Sequence, residues 1–149
     1  MTPTELLTLI ASDAQATAFF SAGNDEACAA RCTAIAPPVR QPVPADRVQE
    51  IASLNGMWGM LKIAALNTSL SNPPRGAAVS FIDWVEAGRP LNPDNPAVQQ
   101  MAGVLVSYSL ATAEQIAQIS DAANTPQVVT FHDVGAARQQ AGVVSNGAT

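Results

Sequence analysis

The sequence is short of charge. Asp, Glu, Lys and Arg together make 13% of it, about half the usual share. The seven basic residues, Arg31, Arg40, Arg47, Lys62, Arg75, Arg89 and Arg138, stand singly, and the net charge is -5. Binding to nucleic acid through phosphates needs clustered Lys and Arg, so no nucleic-acid partner is expected. Aromatic residues are also scarce, at 5%. There are two cysteines and one histidine, too few for a disulfide framework or a complete zinc site. No stretch reaches the ~18 uninterrupted apolar residues of a membrane span. The first residues show no basic segment ahead of an apolar run, so no secretory signal is expected.

What remains is small and apolar. Hydrophobic residues make 48% of the 149 positions, and much of that share is alanine. Alanine is the best helix former and a poor core filler. The composition therefore predicts an all-α chain that gains part of its stability from neighbours. A surface of low charge suits a subunit better than a free monomer.

Residues 45–70 form the most apolar stretch. Val48, Ile51, Leu54, Trp58, Leu61 and Ala65 recur at helical steps. Met57, Met60, Ile63 and Leu66 make a second stripe beside them. A helix apolar on most of its circumference is buried. The pattern predicts one central helix of roughly 35 to 40 Å, with Gly56 and Gly59 inside it, Trp58 in the core and the rest of the chain packed around.

Elsewhere, cap signals place the helices. Thr2-Pro3-Thr4-Glu5 reads as a capping box, with Ser12-Asp13 capping a continuation through Phe20. Asn24 or Asp25 starts a helix to about Ile35. Residues 36–44 hold four prolines (Pro37, Pro38, Pro42 and Pro44) and read as an extended connector. Asn72-Pro73 and Asn95-Pro96 start two further helices, the first ended by Gly88. The second turns Val98, Met101, Val104, Leu105 and Tyr108 inward. Thr112 to Gln115 is another capping box. Residues 127–131 are β-branched and read either as extended chain or, through Thr130, as the cap of a last short helix to Gln140. The expected organisation is a single helical domain over residues 1–149, a bundle of six or seven helices. It comprises a helical pair (1–35), the connector (36–44), a main bundle (45–142) and a tail without periodicity (143–149).

No constellation carries chemistry. Cys28 and Cys32 lie four apart on a helix and lack the companions zinc needs; they read as structural thiols. His132 and Asp133 are sequence neighbours, which point apart on a helix and make no dyad. Asp83 and Glu86 share the solvent face of an amphipathic helix. No Gly-x-Ser-x-Gly elbow and no glycine-rich phosphate loop occurs. No catalytic, cofactor-binding or metal residue is assigned, and no cofactor, small-molecule substrate or membrane partner is expected.

Four segments resemble a known class. They are SLNGMWGMLKIAAL from Ser53, AVSFIDWVEAGRPLNPDNPAVQQMAGVL from Ala78, SLATAEQIAQI from Ser109 and QVVTFHDVGAAR from Gln127. A Phe/Trp helix, an Asn/Asp-Pro turn, a Thr-Ala-Glu helix start and a terminal Asp-Val-x-x-Ala-Arg helix follow one another. This resembles the small alanine-rich helical virion structural proteins of tailed bacteriophages. The resemblance implies a non-enzymatic virion subunit, an adaptor or connector in the neck or tail, assembled in the bacterial cytoplasm. Its partners would be other virion proteins and copies of itself. On that reading the connector and the tail lie against neighbouring subunits. The alternative is a free soluble helical interaction or regulatory module of the bacterial cytoplasm.

Overall fold

A computed structural model describes residues 1–147, with side chains through residue 142. In chain order the elements are α1 (Pro3–Ala11), α2 (Ala14–Ser21), α3 (Asp25–Ile35), β1 (Val39–Arg40), α4 (Ala45–Leu54) and α5 (Met57–Leu66). Then come α6 (Pro74–Glu86), α7 (Pro96–Ser107), α8 (Ala113–Asp121), β2 (Asn124–Thr125) and α9 (Phe131–Gly147). The class is all-α, and β1 and β2 pair as a minimal two-stranded sheet. Nine helices among the described residues exceed the six or seven expected, because two stretches read as continuous are broken. One break is at Ser12-Asp13, where Asp13 caps α2 by accepting the Ala16 N–H at 2.9 Å. The other is at Asn55-Gly56.

The chain forms two compact units, Met1–Val39 with Pro126–Thr149, and Arg40–Thr125. Each has its own apolar core. In the first unit α1 and α3 pack on α9, and α2 packs on α3. Leu6, Cys28, Cys32 and Val134 are enclosed there. This corrects the partition read from the sequence. The N-terminal pair is three helices, and the last helix joins them rather than a main bundle spanning 45–142.

Residues 126–130 are neither helix nor strand. Thr33 fixes them, its Oγ1 donating to the Val129 carbonyl at 3.2 Å and accepting the Val129 N–H at 2.9 Å. Thr130 then caps α9, its N–H donating to Asp133 Oδ2 at 2.8 Å. That helix continues to Gly147, past the expected end at Gln140. Most of the expected tail is thus helical backbone, and residues 148–149 lie outside the described residues.

In the second unit α5 packs on α4 and α6, α6 on α7, and α4 on α8. Val48, Ala52, Met57, Leu61 and Leu105 are completely buried. The proline-rich connector is not helical, in line with its prolines, but its backbone is paired. Val43 and Leu91 exchange N–H···O bonds of 2.8 Å in both directions, and the Gln41 N–H donates to the Ala123 carbonyl at 2.9 Å. Val43 is itself core. An unpartnered strip free to dock elsewhere is therefore not what residues 41–43 form.

The expected central helix is two helices of 10 residues each. Asn55 and Gly56 separate them. Gly56 takes φ +82°, a left-handed conformation that costs glycine little and other residues much. Asn55 Oδ1 accepts the Met57 N–H at 3.1 Å, restarting the chain as α5. The turn re-aims the helix and leaves a wide face outside. Trp58 is half-buried, stacked edge-on against Phe81 with ring centroids 6.3 Å apart. Phe19, Phe20 and Trp84 are also half-buried, and Tyr108 is exposed.

Burial predicts unequal costs within one helix. Leu61→Ala is expected to destabilise by about 2–5 kcal/mol, through lost burial and a residual cavity. Ile63→Ala, two residues on and exposed, is expected to stay within about 0.5–1 kcal/mol. Urea denaturation of dilute protein checks both. Equal large losses would restore a fully buried helix.

Candidate interaction surface

The two thiols are withdrawn from solvent. Cys28 and Cys32 are completely buried and unlinked by a disulfide. Burial first, and then the neighbouring Cys28, push the Cys32 thiol up to about 12. Burial likewise raises Cys28, whose Sγ lies 3.6 Å from the Ala16 carbonyl oxygen. Thiols held protonated are neither nucleophiles nor metal ligands. His132 lies exposed against the Phe131 ring, with centroids 4.0 Å apart. Asp133 is turned to Thr130 as a cap, and its hydrogen bonds there, backbone first, lower its pKa. Glu86 pairs with Lys62, and Asp83 is exposed on the same helix. Among the described residues no group of three metal-ligating side chains occurs. No helix among them is long and apolar enough to cross a membrane.

The seven basic side chains are all engaged within their own units. Arg31 grips Asp13 with two bonds of 3.0 and 2.7 Å. Arg40 donates to Asp94 at 2.9 Å, Asn124 at 2.7 Å and Ser120 at 2.9 Å. Arg47 pairs with Glu50, Lys62 with Glu86 and Arg138 with Asp25. Arg75 donates to the Ala65 carbonyl at 3.2 Å, and Arg89 lies 5.3 Å from the Trp84 ring centre.

Two hollows without charged side chains lie in the second unit, besides an open one lined by Arg47, Leu54 and Asp121. One, of about 270 Å³, sits among α6, α7 and α8 against Phe81, Leu91, Met101, Leu105 and Ile119. The other is an open groove between α6 and α7, floored by Ala77, Trp84, Met101 and Val104. Neither has a charged side chain in its lining. The first falls just below the usual size of a ligand pocket, roughly 300–1,000 Å³, and is lined mainly by large apolar side chains.

The feature that does stand out is the outer face of α5. Met57, Leu61 and Ala64 point into the core. Gly59, Met60, Ile63, Leu66 and Asn67 are exposed on the other side. Met60 is 49% exposed, Ile63 69% and Leu66 80%. An isolated exposed leucine is ordinary, but three large apolar side chains on one uncharged helix face form an exposed apolar patch. Lys62, the only charged residue of α5, lies at its edge and is held by Glu86, with its ammonium 5.3 Å from the Trp58 ring centre. The sequence pattern found these apolar residues and placed them inside. The Asn-Gly pair was the signal that α5 starts afresh and need not bury both stripes.

Comparison with known protein families, characterised proteins and solved structures gives no match to this chain.

The electrostatics of the first unit set an acid limit. The Arg31 guanidinium, and then the Ala16 N–H, hold the Asp13 carboxyl down at about 2. A carboxyl whose folded value lies below its unfolded value stabilises the fold above the unfolded value, and that contribution is lost as pH falls. Stability from this contact is expected to be complete above about pH 4. It should drain away as pH falls towards 2, with Asp13→Asn flattening that segment of the profile. Denaturation midpoints between pH 5 and 2 test it. An unchanged acid profile in Asp13→Asn would remove the contact from the account.

Proposed function

We propose that this chain is a non-enzymatic structural subunit of a tailed-bacteriophage virion, an adaptor or connector in the neck or tail. The observation that carries the reading is the uncharged, exposed apolar face of α5. It is a surface built for contact, on a chain whose reactive thiols are shut inside the fold. Low charge and short side chains add support, since both suit a subunit with much of its surface in contacts. The ordered run of segments from Ser53 to Arg138 supports the bacteriophage assignment through its resemblance to such virion proteins.

In this role the chain contributes shape and adhesion and no reaction. Its partners are other virion proteins and further copies of itself. It reaches the virion by assembly in the bacterial cytoplasm. Nucleic acid is not held directly, because the basic side chains are scattered singly on a chain of net charge -5.

Quantitative mass spectrometry of purified particles tests this. The chain is expected at a fixed copy number per particle, and a null allele is expected to leave heads and tails unjoined or tails incomplete. Recovery of the chain only from the free cytosolic pool, with normal particles in its absence, would overturn the reading in favour of a soluble interaction module.

A further inference from the structure

Asn55-Gly56 is a residue pair at which a main chain can react with itself. Asparagine is thermolabile, and a following glycine adds no side chain to hinder its backbone nitrogen. The reaction is an intramolecular substitution. The Gly56 nitrogen gives its proton to solvent base and attacks Cγ of Asn55. The N–Cγ bond forms, the Cγ–Nδ2 bond breaks, and Nδ2 takes a proton from water and leaves as ammonia. Water then opens the cyclic imide at either carbonyl carbon. The products are aspartate, or isoaspartate with an extra carbon in the main chain. Nothing is oxidised or reduced.

The folded corner holds the two partners apart. Solvent is not the barrier, because Gly56 is exposed and Asn55 is only half-buried. Conformation is the barrier. Ring closure requires the Gly56 nitrogen to eclipse the Asn55 Cβ. At the observed ψ of 4° it stands roughly a third of a turn away, by tetrahedral geometry at Cα. Rotating that peptide would swing α5 away from α4, on which it packs, and break the bonds that fix Asn55. Its Oδ1 accepts the Met57 N–H at 3.1 Å, and its Nδ2 donates to Gln118 Oε1 at 2.8 Å. Its N–H donates to the Ile51 carbonyl at 3.1 Å, and its carbonyl accepts from Gln115 Nε2 at 2.8 Å. Both main-chain polar groups and both side-chain polar atoms are thus engaged.

We infer that Asn55 is a latent deamidation site closed by the fold, with Gln118 of α8 as the positioning residue that fixes the amide which would otherwise leave. What the closure protects is the turn itself. Aspartate at this position loses the donor to Gln118 and sets a negative charge at the C-terminal end of α4, the unfavourable end of a helix for an anion. Isoaspartate lengthens the main chain between α4 and α5 and displaces Gly56 from its left-handed turn. A chain that stays folded keeps its corner, and a chain left unfolded loses the means to rebuild it.

The test is to incubate the full chain at mildly alkaline pH, native and in guanidinium chloride. The tryptic peptide 48–62 holds Asn55 as its only asparagine, and the other Asn-Gly pair, Asn146-Gly147, falls in a different peptide. The gain in mass from amide to acid therefore reports Asn55 alone. Native protein is expected to convert at least about tenfold more slowly than unfolded protein, since reaction waits on opening of the corner. Gln118→Ala suits a helix and keeps the fold. It is expected to speed the native reaction by roughly two- to tenfold, the effect of one hydrogen bond, and to leave the rate in the unfolded chain unchanged. The increase is expected to be insensitive to guanidinium chloride below the unfolding transition, the mark of local opening. In chains aged unfolded and then refolded, isoaspartate is expected in the misfolded fraction and not in the native one. Equal rates in native and unfolded protein overturn the proposal. A Gln118→Ala rate equal to wild type, or one that climbs along the slope of global unfolding, overturns the role of Gln118. Native refolded protein rich in isoaspartate overturns the protection of the turn.

Discussion

Much of this molecule follows from one backbone constraint, the left-handed turn at Gly56. The apolar stretch on either side of it is too long and too apolar to lie on a surface as a single helix. A straight helix would have to bury both of its stripes. The turn lets α4 direct Val48 and Ala52 inward, and then lets α5 start again with Met57, Leu61 and Ala64 inward. Asn55 makes the restart local, with its side chain on the Met57 N–H and its N–H on the Ile51 carbonyl. Gln115 from α8 secures the same corner by donating to the Asn55 carbonyl at 2.8 Å. What the turn leaves outside is Met60, Ile63 and Leu66, while Met57 of the same expected stripe is buried.

Most helix starts were legible in the sequence because a cap is a local hydrogen bond; α6 is the exception, starting at Pro74 after Pro73 with no side-chain cap, rather than at Asn72-Pro73. Thr2 with Glu5, Asn24, Asn95 with Pro96, and Thr112 with Gln115 each sit where their residue types put them. Helix destinations were not legible. Nothing in the period of residues 131–140 says which core Val134 and Ala137 enter, because that is decided by Thr33 holding Val129 across 96 positions of sequence. Burial was legible only in part. Periodicity reports that a face is apolar, and a contact face and a core face look alike on that measure. Trp58 illustrates the difference. Its ring packs on Phe81 while Lys62 covers part of it, so it is neither the enclosed core residue expected nor a free surface group. The connector was read correctly as non-helical, but its pairing with Leu91 and Ala123 is non-local and left no trace in the prolines.

The low charge and the alanine content have one physical consequence in common. Small side chains give modest burial per residue, and two small cores share the 149 positions. Ion pairs add little, since the five found among the described residues are all at least partly exposed and such pairs are worth roughly 0–1 kcal/mol each. Burial of the exposed Ile63 and Leu66 against another surface would add to these modest cores.

The central claim is that α5 buries the face carrying Met57, Leu61 and Ala64 and presents the face carrying Met60, Ile63 and Leu66. Met57 and Met60 report on the two, since Met57 is fully enclosed and Met60 is 49% exposed. Peroxide oxidation of dilute native protein, followed by tandem mass spectrometry of the peptide that holds both residues, measures them side by side. Met60 is expected to convert to the sulfoxide well before Met57, which should react only when the protein unfolds. Equal protection of both would mean one continuous buried helix, and would contradict the account.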